Sequence, residues 1–266
     1  MSDDASSMVS RVVQILGVFE RSAGRLTLGQ ITIRTGLPRS SVHRILQQLV
    51  DARWLRRDGG EYSLGIRMFE LGSHVAERTR VTDVARPIIH ELCATTKHVV
   101  HLGALDEFDV VYLEKIGGPF AGTLPSRVGG RFPAHAAAVG KALLALSPRA
   151  MIDHHLQHGL DRRTSATIVD PDKFEAEMLR IRDRGYATDN SEAAVGVACV
   201  AAPILEDGYA IAAVSVCGPA RGVRVDELKH RVMWTAAEIT RRLASASPPK
   251  LSEPQLRPAW RASESR

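Results

Sequence analysis

The sequence predicts an α+β protein of two domains, and three observations carry that prediction. Its 266 residues are enough for about two domains, each able to bury a core of its own. Between Leu26 and Leu64, two helical periods give way to a pair of short half-apolar runs inside an arginine-rich stretch. Beyond Val81, helical periods alternate with β-rich runs joined by tight turns, the pattern of an antiparallel sheet surrounded by helices.

The opening residues, Met1 to Ser7, are polar and expected to be disordered. Met8 to Arg21 carries Val9, Val12, Val13, Leu16 and Phe19, expected on one side of a helix that packs under the helix beginning near Arg39. Thr27 with Gln30 three residues on has capping-box spacing, so a helix starts there. It stops at Thr35-Gly36, where glycine tolerates the left-handed backbone of a helix end. Pro38 suits the first turn of the next helix, which aligns Val42, Ile45, Leu46 and Leu49 on one face. Trp54 to Arg57 and Glu61 to Leu64 flank Asp58-Gly59-Gly60, a hairpin signal.

The opposite face of the second helix holds Arg39, Ser40, Ser41, His43, Arg44, Gln47 and Gln48, donors suited to phosphate oxygens and base edges. Helix, glycine turn, donor-fronted helix and basic hairpin together form a winged helix-turn-helix, expected over residues 8–64 and directed at double-stranded operator DNA. The candidate DNA contacts are Arg39, Ser40, Ser41, His43 and Arg44 on the helix and Arg56 and Arg57 on the wing. Arg44 is the candidate for reading a guanine, and Arg39, Arg56 and Arg57 for holding backbone. Charge agrees: from Met8 to Gly60 there are nine arginines against three acids, a net of +6, whereas Val81 to Ser245 holds 19 basic and 20 acidic residues. A basic module joined to a charge-balanced one is the footprint of nucleic-acid binding by the first alone.

Gly65 to Arg80 reads as a linker helix with Leu71 and Val75 four apart. The second domain is expected over residues 81–245. Thr82 and Asp83 suggest a cap for a helix broken near Pro87, followed by a hairpin of Val99–Leu105 and Val110–Lys115. A short strand is expected over Thr123 to Val128, then small residues from Ala134 to Ala138 that permit close backbone approach, and a helix through Leu146. Pro148 opens a helix with Met151, Ile152 and Leu156, and Asp172 to Arg184 is amphipathic, ending at Gly185. Val197–Glu206 and Tyr209–Cys217 are joined only by Asp207-Gly208, whose turn needs positive φ at both residues. Val225 to Ala244 forms a last helix with Leu228, Val232, Ala236, Ile239 and Leu243 in line. Residues 246–266, with four prolines and little apolar periodicity, are expected to be a disordered tail.

Several function classes recede on composition. No apolar run approaches the roughly 18 residues of a membrane span, and MSDDASS is not a secretory leader, so a cytoplasmic protein is expected. Cys93, Cys199 and Cys217 make no CxxC motif and are expected to be reduced thiols. His154, His155 and His158 have metal-like spacing but no completing ligand nearby, so a solvated helix face is expected, with no metal and no cofactor. An alternative is an enzyme using His135, Asp189, Ser215 and Cys217, but no strained Gly-x-Ser-x-Gly elbow presents the nucleophile. Another is a DNA-architectural protein without ligand, which leaves the second domain without a task.

GLPRSSVHRILQQL with a wing ending in YSLG resembles the helix-turn-helix of the IclR family of bacterial transcription regulators. RFPAHAAAVGKALLA, IRDRGYATDNSE and GVACVAAPI…AAVSVCGP resemble that family's ligand-binding domain, in register from Met8 to Ser245. The resemblance implies a ligand-responsive transcriptional regulator with a GAF-like or profilin-like sheet, a single effector cavity, and a homodimer or homotetramer in which the first helix touches a partner subunit. Carried over position by position, the cavity would be lined by Ala138, Val139, Asp189, Cys199, Ser215 and Cys217. The family often has glycine and serine where this chain has Ala138-Val139 and Cys217, a less polar wall that suits a bulkier organic acid, such as an aromatic one, over a very small oxoacid. Arg127 and Arg131 flank the entrance segment as candidates to pair a carboxylate.

Overall fold

The computed structural model describes residues 7–20, 24–77 and 80–245. The chain divides into two compact units, one through residue 78 and one from residue 79. The tail at 246–266 and the first six residues lie outside the described residues.

The first unit runs α1 (Met8–Gly17), β1 (Leu26–Thr27), α2 (Leu28–Thr35), α3 (Arg39–Asp51), β2 (Leu55–Asp58), β3 (Glu61–Leu64) and α4 (Ile66–Glu77). Ser7, expected in a disordered leader, caps α1: its hydroxyl accepts from the Ser10 N–H at 3.0 Å. The buried stripe of α1 is rotated from the expected one. Ile15 and Phe19 are buried with Val12 and Leu16 beside them, while Val9 and Val13 point to solvent. The helix is held against α2, where Gln14 donates to the Thr35 carbonyl at 2.7 Å. The expected capping box is present, with Gln30 N–H to Thr27 Oγ1 at 3.3 Å and Thr27 N–H to Gln30 Oε1 at 2.8 Å. Gly36 ends α2 at φ 67°. Pro38 stands one place earlier than expected, as the N-cap of α3. Val42, Ile45, Leu46 and Leu49 enter one core with Ile15, Ile31, Leu55 and Tyr62. The wing pairs Arg57 with Tyr62 and Asp58 with Glu61, and the two-residue β1 adds itself to β3 as a third strand.

The second unit runs α5 (Arg80–Thr96), β4 (Val99–Asp106), β5 (Asp109–Ile116), β6 (Arg131–Pro133), α6 (Ala138–Ala145), α7 (Arg149–His158), α8 (Pro171–Arg184), β7 (Ala187–Asn190), β8 (Val197–Glu206), β9 (Tyr209–Pro219) and α9 (Val225–Ser245). Two expectations are corrected. α5 begins at Arg80 and passes through Pro87 unbroken, and Thr82 is buried in it rather than capping it. Residues Thr123 to Val128 form no strand; a 3-10 turn over Ala121–Thr123 leads into bends, and the strand there is Arg131–Pro133, paired with β5. That strand, β6, and β7 are too short to show a period in the sequence.

All six strands form one antiparallel sheet in the order β6-β5-β4-β9-β8-β7. Side chains alternate between its faces. Val100, Leu102, Val200, Ala202, Val214 and Val216 meet α5 and α9, including all five aligned residues of α9. Val99, Cys199, Ala201, Ala213 and Cys217 meet α6, α7 and α8. The β8–β9 hairpin turns through Asp207 at φ 52° and Gly208 at φ 82°, as the dipeptide requires. Close approach was also legible in the small residues before α6. A Cβ on Gly140 would sit 2.2 Å from the Ala134 carbonyl oxygen, so only glycine fits.

Candidate functional site

On the first unit, one face of α3 is built of donors. Arg39, Ser40, His43, Arg44, Gln47 and Gln48 are exposed and Ser41 is half-buried, all opposite the buried Val42–Leu49 stripe. No side chain caps the N-terminus of α3, so its first N–H groups remain open to an acceptor. Arg39, Arg44 and Arg56 have no ion-pair partner among the described residues. Arg25, in contrast, is paired with Asp58 at 3.5 Å and Glu61 at 3.9 Å. Arg56 and Arg57 leave opposite faces of β2; Arg57 lies over the Tyr62 ring, 5.7 Å from its centroid. Helix front and wing therefore present unneutralised cationic donors.

On the second unit, strand register brings the expected effector residues to one face of the sheet. Asp189 pairs with Cys199 across β7–β8, Cys199 with Cys217 across β8–β9, and Cys217 with Val99 across β9–β4. The adjacent row runs Ala201, Ser215, His101. Over these rows lies α6, whose first turn contains Ala138 and Val139, both buried. The Ser215 hydroxyl is 3.6 Å from the Cys217 sulfur. A shallow opening of about 290 Å³ reaches Cys217 between Lys97, His98, Phe120 and Pro219.

Asp189 is the most perturbed acid of this wall. It is only 3% exposed, and burial pushes its carboxyl from 3.8 up to about 7. Two N–H groups still hold it, from Glu192 at 2.7 Å and Ala193 at 3.3 Å. Next to it lies a pair the sequence reading did not single out. Lys141 of α6, 1% exposed, donates to both carboxylate oxygens of Glu192 at 2.6 and 2.7 Å. Burial raises the Glu192 carboxyl against the pull of Lys141. The signal was there: a lone lysine in AVGKALLA, an otherwise apolar helix, must find an anion or leave the core. His101, Ser126, Tyr112 and Lys115 were also missed. His101 Nε2 lies 2.8 Å from the Ser126 hydroxyl, and its ring is 4.6 Å from that of Tyr112. Burial holds the Tyr112 phenol well above its ordinary value. Lys115 donates to the carbonyls of Ala121 and Ser126 and so fastens the segment before β6.

Other expected groups go elsewhere. Arg131 is engaged by Asp106 at 2.7 Å and Asp109 at 3.0 Å at the tip of the β4–β5 hairpin, and Arg127 is exposed. His135 meets the Asp161 carbonyl at 2.9 Å, and none of its described hydrogen bonds goes to Asp189, Ser215 or Cys217. Of the α7 histidines, His154 and His158 are exposed, as expected of a solvated face, and one departs from it. His155 is buried, and all three surround Phe108, with the His158 ring stacked on it at 3.6 Å. Among the described residues no group of His, Cys, Asp or Glu has the arrangement of a metal site, and no helix is long and apolar enough to cross a membrane.

Two family models match this chain: the IclR helix-turn-helix domain over residues 8–59, and the bacterial transcriptional regulator IclR C-terminal domain over residues 73–242. The chain belongs to the IclR family. Among its IclR relatives, the regulator KdgR of Escherichia coli (strain K12) is 30% identical over 244 residues, 88% of this chain and 92% of that one. KipR of Bacillus subtilis (strain 168) is 34% identical over 224 residues, 82% of this chain and 90% of that one. A crystal structure of an IclR homolog from Microbacterium hydrocarbonoxydans complexed with 4-hydroxybenzoate superimposes with a TM-score of 0.83 at 27% identity, covering 90% of this chain and all of that one. This chain is accordingly an IclR-type transcriptional regulator, with a DNA-binding first domain and a ligand-binding second one.

Proposed function

We propose that this IclR-type regulator reads a partly palindromic operator as a dimer or higher oligomer and responds to a small organic acid, aromatic rather than a very small oxoacid, bound on the α6–α8 face of its sheet. Arg44 reads base edges, the α3 N-terminus with Ser40, Ser41 and His43 seats phosphate, and Arg39, Arg56 and Arg57 hold backbone. One observation carries the effector reading. The Asp189–Cys199–Cys217 row, with Ser215 beside it, lies under the first turn of α6, whose N-terminus no side chain caps. Open N–H groups and the helix dipole there favour a carboxylate. Asp189, neutral below about pH 7, donates a hydrogen bond to such a group instead of repelling it. Ala138, Val139, Cys199 and Cys217 supply the apolar wall against which a ring packs. The 4-hydroxybenzoate held by the Microbacterium relative is an acid of this chemistry.

Dimer formation is supported by apolar side chains exposed on the first unit: Val9 and Val13 on α1, Ile66 and Phe69 on α4. A two-fold protein matched to two half-sites gains the specificity that one small module lacks. α4, at the end of the first unit, links it to the second as the linker helix. The effector acts through it only by binding one arrangement of the domains better than the other.

The deciding experiment is a thermal-shift screen of the full chain against 4-hydroxybenzoate, benzoate, longer aliphatic acids and a two-carbon oxoacid, followed by operator binding with each hit. An aromatic acid should raise the melting temperature by several degrees and change operator affinity. Turnover of the acid without any change in DNA binding would instead make the second domain an enzyme.

A further inference from the structure

Cys199 and Cys217 hold a relation that effector binding does not require. They are direct Cα partners in the β8–β9 ladder and face the same side of the sheet. Directly opposed residues of antiparallel strands lie about 4.5–5.5 Å apart at Cα. A disulfide spans about 4.4–6.8 Å. Both thiols are free, so the backbone already has the separation a cross-link needs.

Their surroundings differ in a way that assigns roles. Burial opposes charge on Cys217, but the neighbouring Cys199, His101 and Ser215 outweigh it and hold this thiol below its ordinary value. Cys199, buried as Cys217 is, is held above its ordinary value by its neighbour Cys217 and by burial. His101 sits diagonally across β4–β9 from Cys217. Its Nδ1 is buried and has no hydrogen-bond partner among the described residues; with the ring proton on Nε2 toward Ser126, that nitrogen is an acceptor. Cys217 is among the residues that line the opening between Lys97, His98 and Phe120, whereas Cys199 is not. Cys93 shares none of this. It donates to the His98 and Gly117 carbonyls, is raised by burial, and has no cysteine opposite it.

We propose that Cys217 and Cys199 are a peroxide-responsive thiol pair, Cys217 the nucleophile and Cys199 the resolving thiol, that closes a reversible disulfide across β8–β9. His101 takes the proton of Cys217. The thiolate sulfur attacks one oxygen of hydrogen peroxide; the O–O bond breaks, and the departing hydroxide takes up that proton and leaves as water. Cys217 is now a sulfenic acid, oxidised by the two electrons that peroxide has gained. The Cys199 sulfur attacks the sulfenic sulfur, the S–S bond forms, the S–O bond breaks, and the Cys199 proton leaves with the hydroxide as a second water. Two thiols and one peroxide give one disulfide and two waters. A cellular dithiol or glutathione reverses the step. The pair lies in the wall assigned to the effector, but its chemistry needs neither effector nor operator, so it stands or falls separately from that assignment.

The test uses the full, reduced chain and stoichiometric hydrogen peroxide. Intact mass should fall by about 2 Da per chain, as loss of two hydrogens requires. Non-reducing peptide mapping should join Cys199 to Cys217, with Cys93 alone still open to alkylation after unfolding, and dithiothreitol should restore all three thiols. Cys93→Ser should leave the cross-link unchanged. Cys199→Ser should lose it and accumulate a dimedone adduct at Cys217. The wild-type map decides even if that variant fails to fold. Three alkylatable thiols after treatment, oxidation confined to Cys93, or bridges only between chains would overturn the proposal.

Discussion

Asp189 carries an ionisation that folding makes costly. Burial raises its carboxyl from 3.8 to about 7. Below pH 3.8 both folded and unfolded chains hold the proton. Between 3.8 and about 7 the folded chain keeps a proton that the unfolded chain has released, so stability falls as pH rises through this window and stays lowered above it. Asp189→Asn keeps an oxygen that accepts from the Glu192 and Ala193 N–H groups without a charge to bury. The variant should melt higher than the native chain at pH 8, with the gap closing toward pH 4. An equal or lower melting temperature at pH 8 would show that Asp189 is not buried as an acid. The family resemblance put Asp189 among the expected effector residues but was silent on this shift, because burial is a property of what packs over β7. Lys141 and Glu192 are the opposite case: a charge inside an apolar helix announces that it is paired, although not with which carboxylate.

At the scale of elements, legibility followed period length. α2, α3, the wing, the β8–β9 hairpin and α9 were readable because caps, turn dipeptides and apolar stripes agreed over many residues. β1, β6 and β7, of two to four residues, are strands only because a neighbour pairs with them. The stripe of α1 was misread because Val9 and Val13 suit a helix face equally well on either side; only the position of α2 selects Ile15. The DNA-reading surface proposed above draws on α3 and β2 together, and its two parts should fail differently. Arg44→Ala should relax base preference at one operator position, a loss of about 1–3 kcal/mol of discrimination. Arg56→Ala should weaken all sequences alike and lower the slope of log affinity against log salt by about one. Competition binding with single-base operator variants over a salt series separates the two. If Arg44→Ala weakened every sequence equally, it would be a backbone contact.

For the molecule as a whole, charge and apolar surface divide the labour. The positive excess lies before residue 60, while the chain beyond Val81 is nearly neutral, so attraction to a duplex acts on the first domain and leaves the second to its small-molecule ligand. The first domain also exposes a large aromatic that its own core does not use: Phe69 of α4 is 72% exposed, near Ile66 at 60% on the same helix. Apolar surface of this kind is costly in a monomer, and a second copy packed against it, as in the dimer proposed above, would cover it. Phe69→Asp changes nothing that the core of the first domain contacts, so folding of each domain should persist by circular dichroism. Light scattering should show a shift toward smaller species, and operator affinity should drop more than tenfold because two half-sites are no longer gripped by one particle. Native mass with native affinity in that variant would place the subunit contact elsewhere and leave α4 as a connector alone.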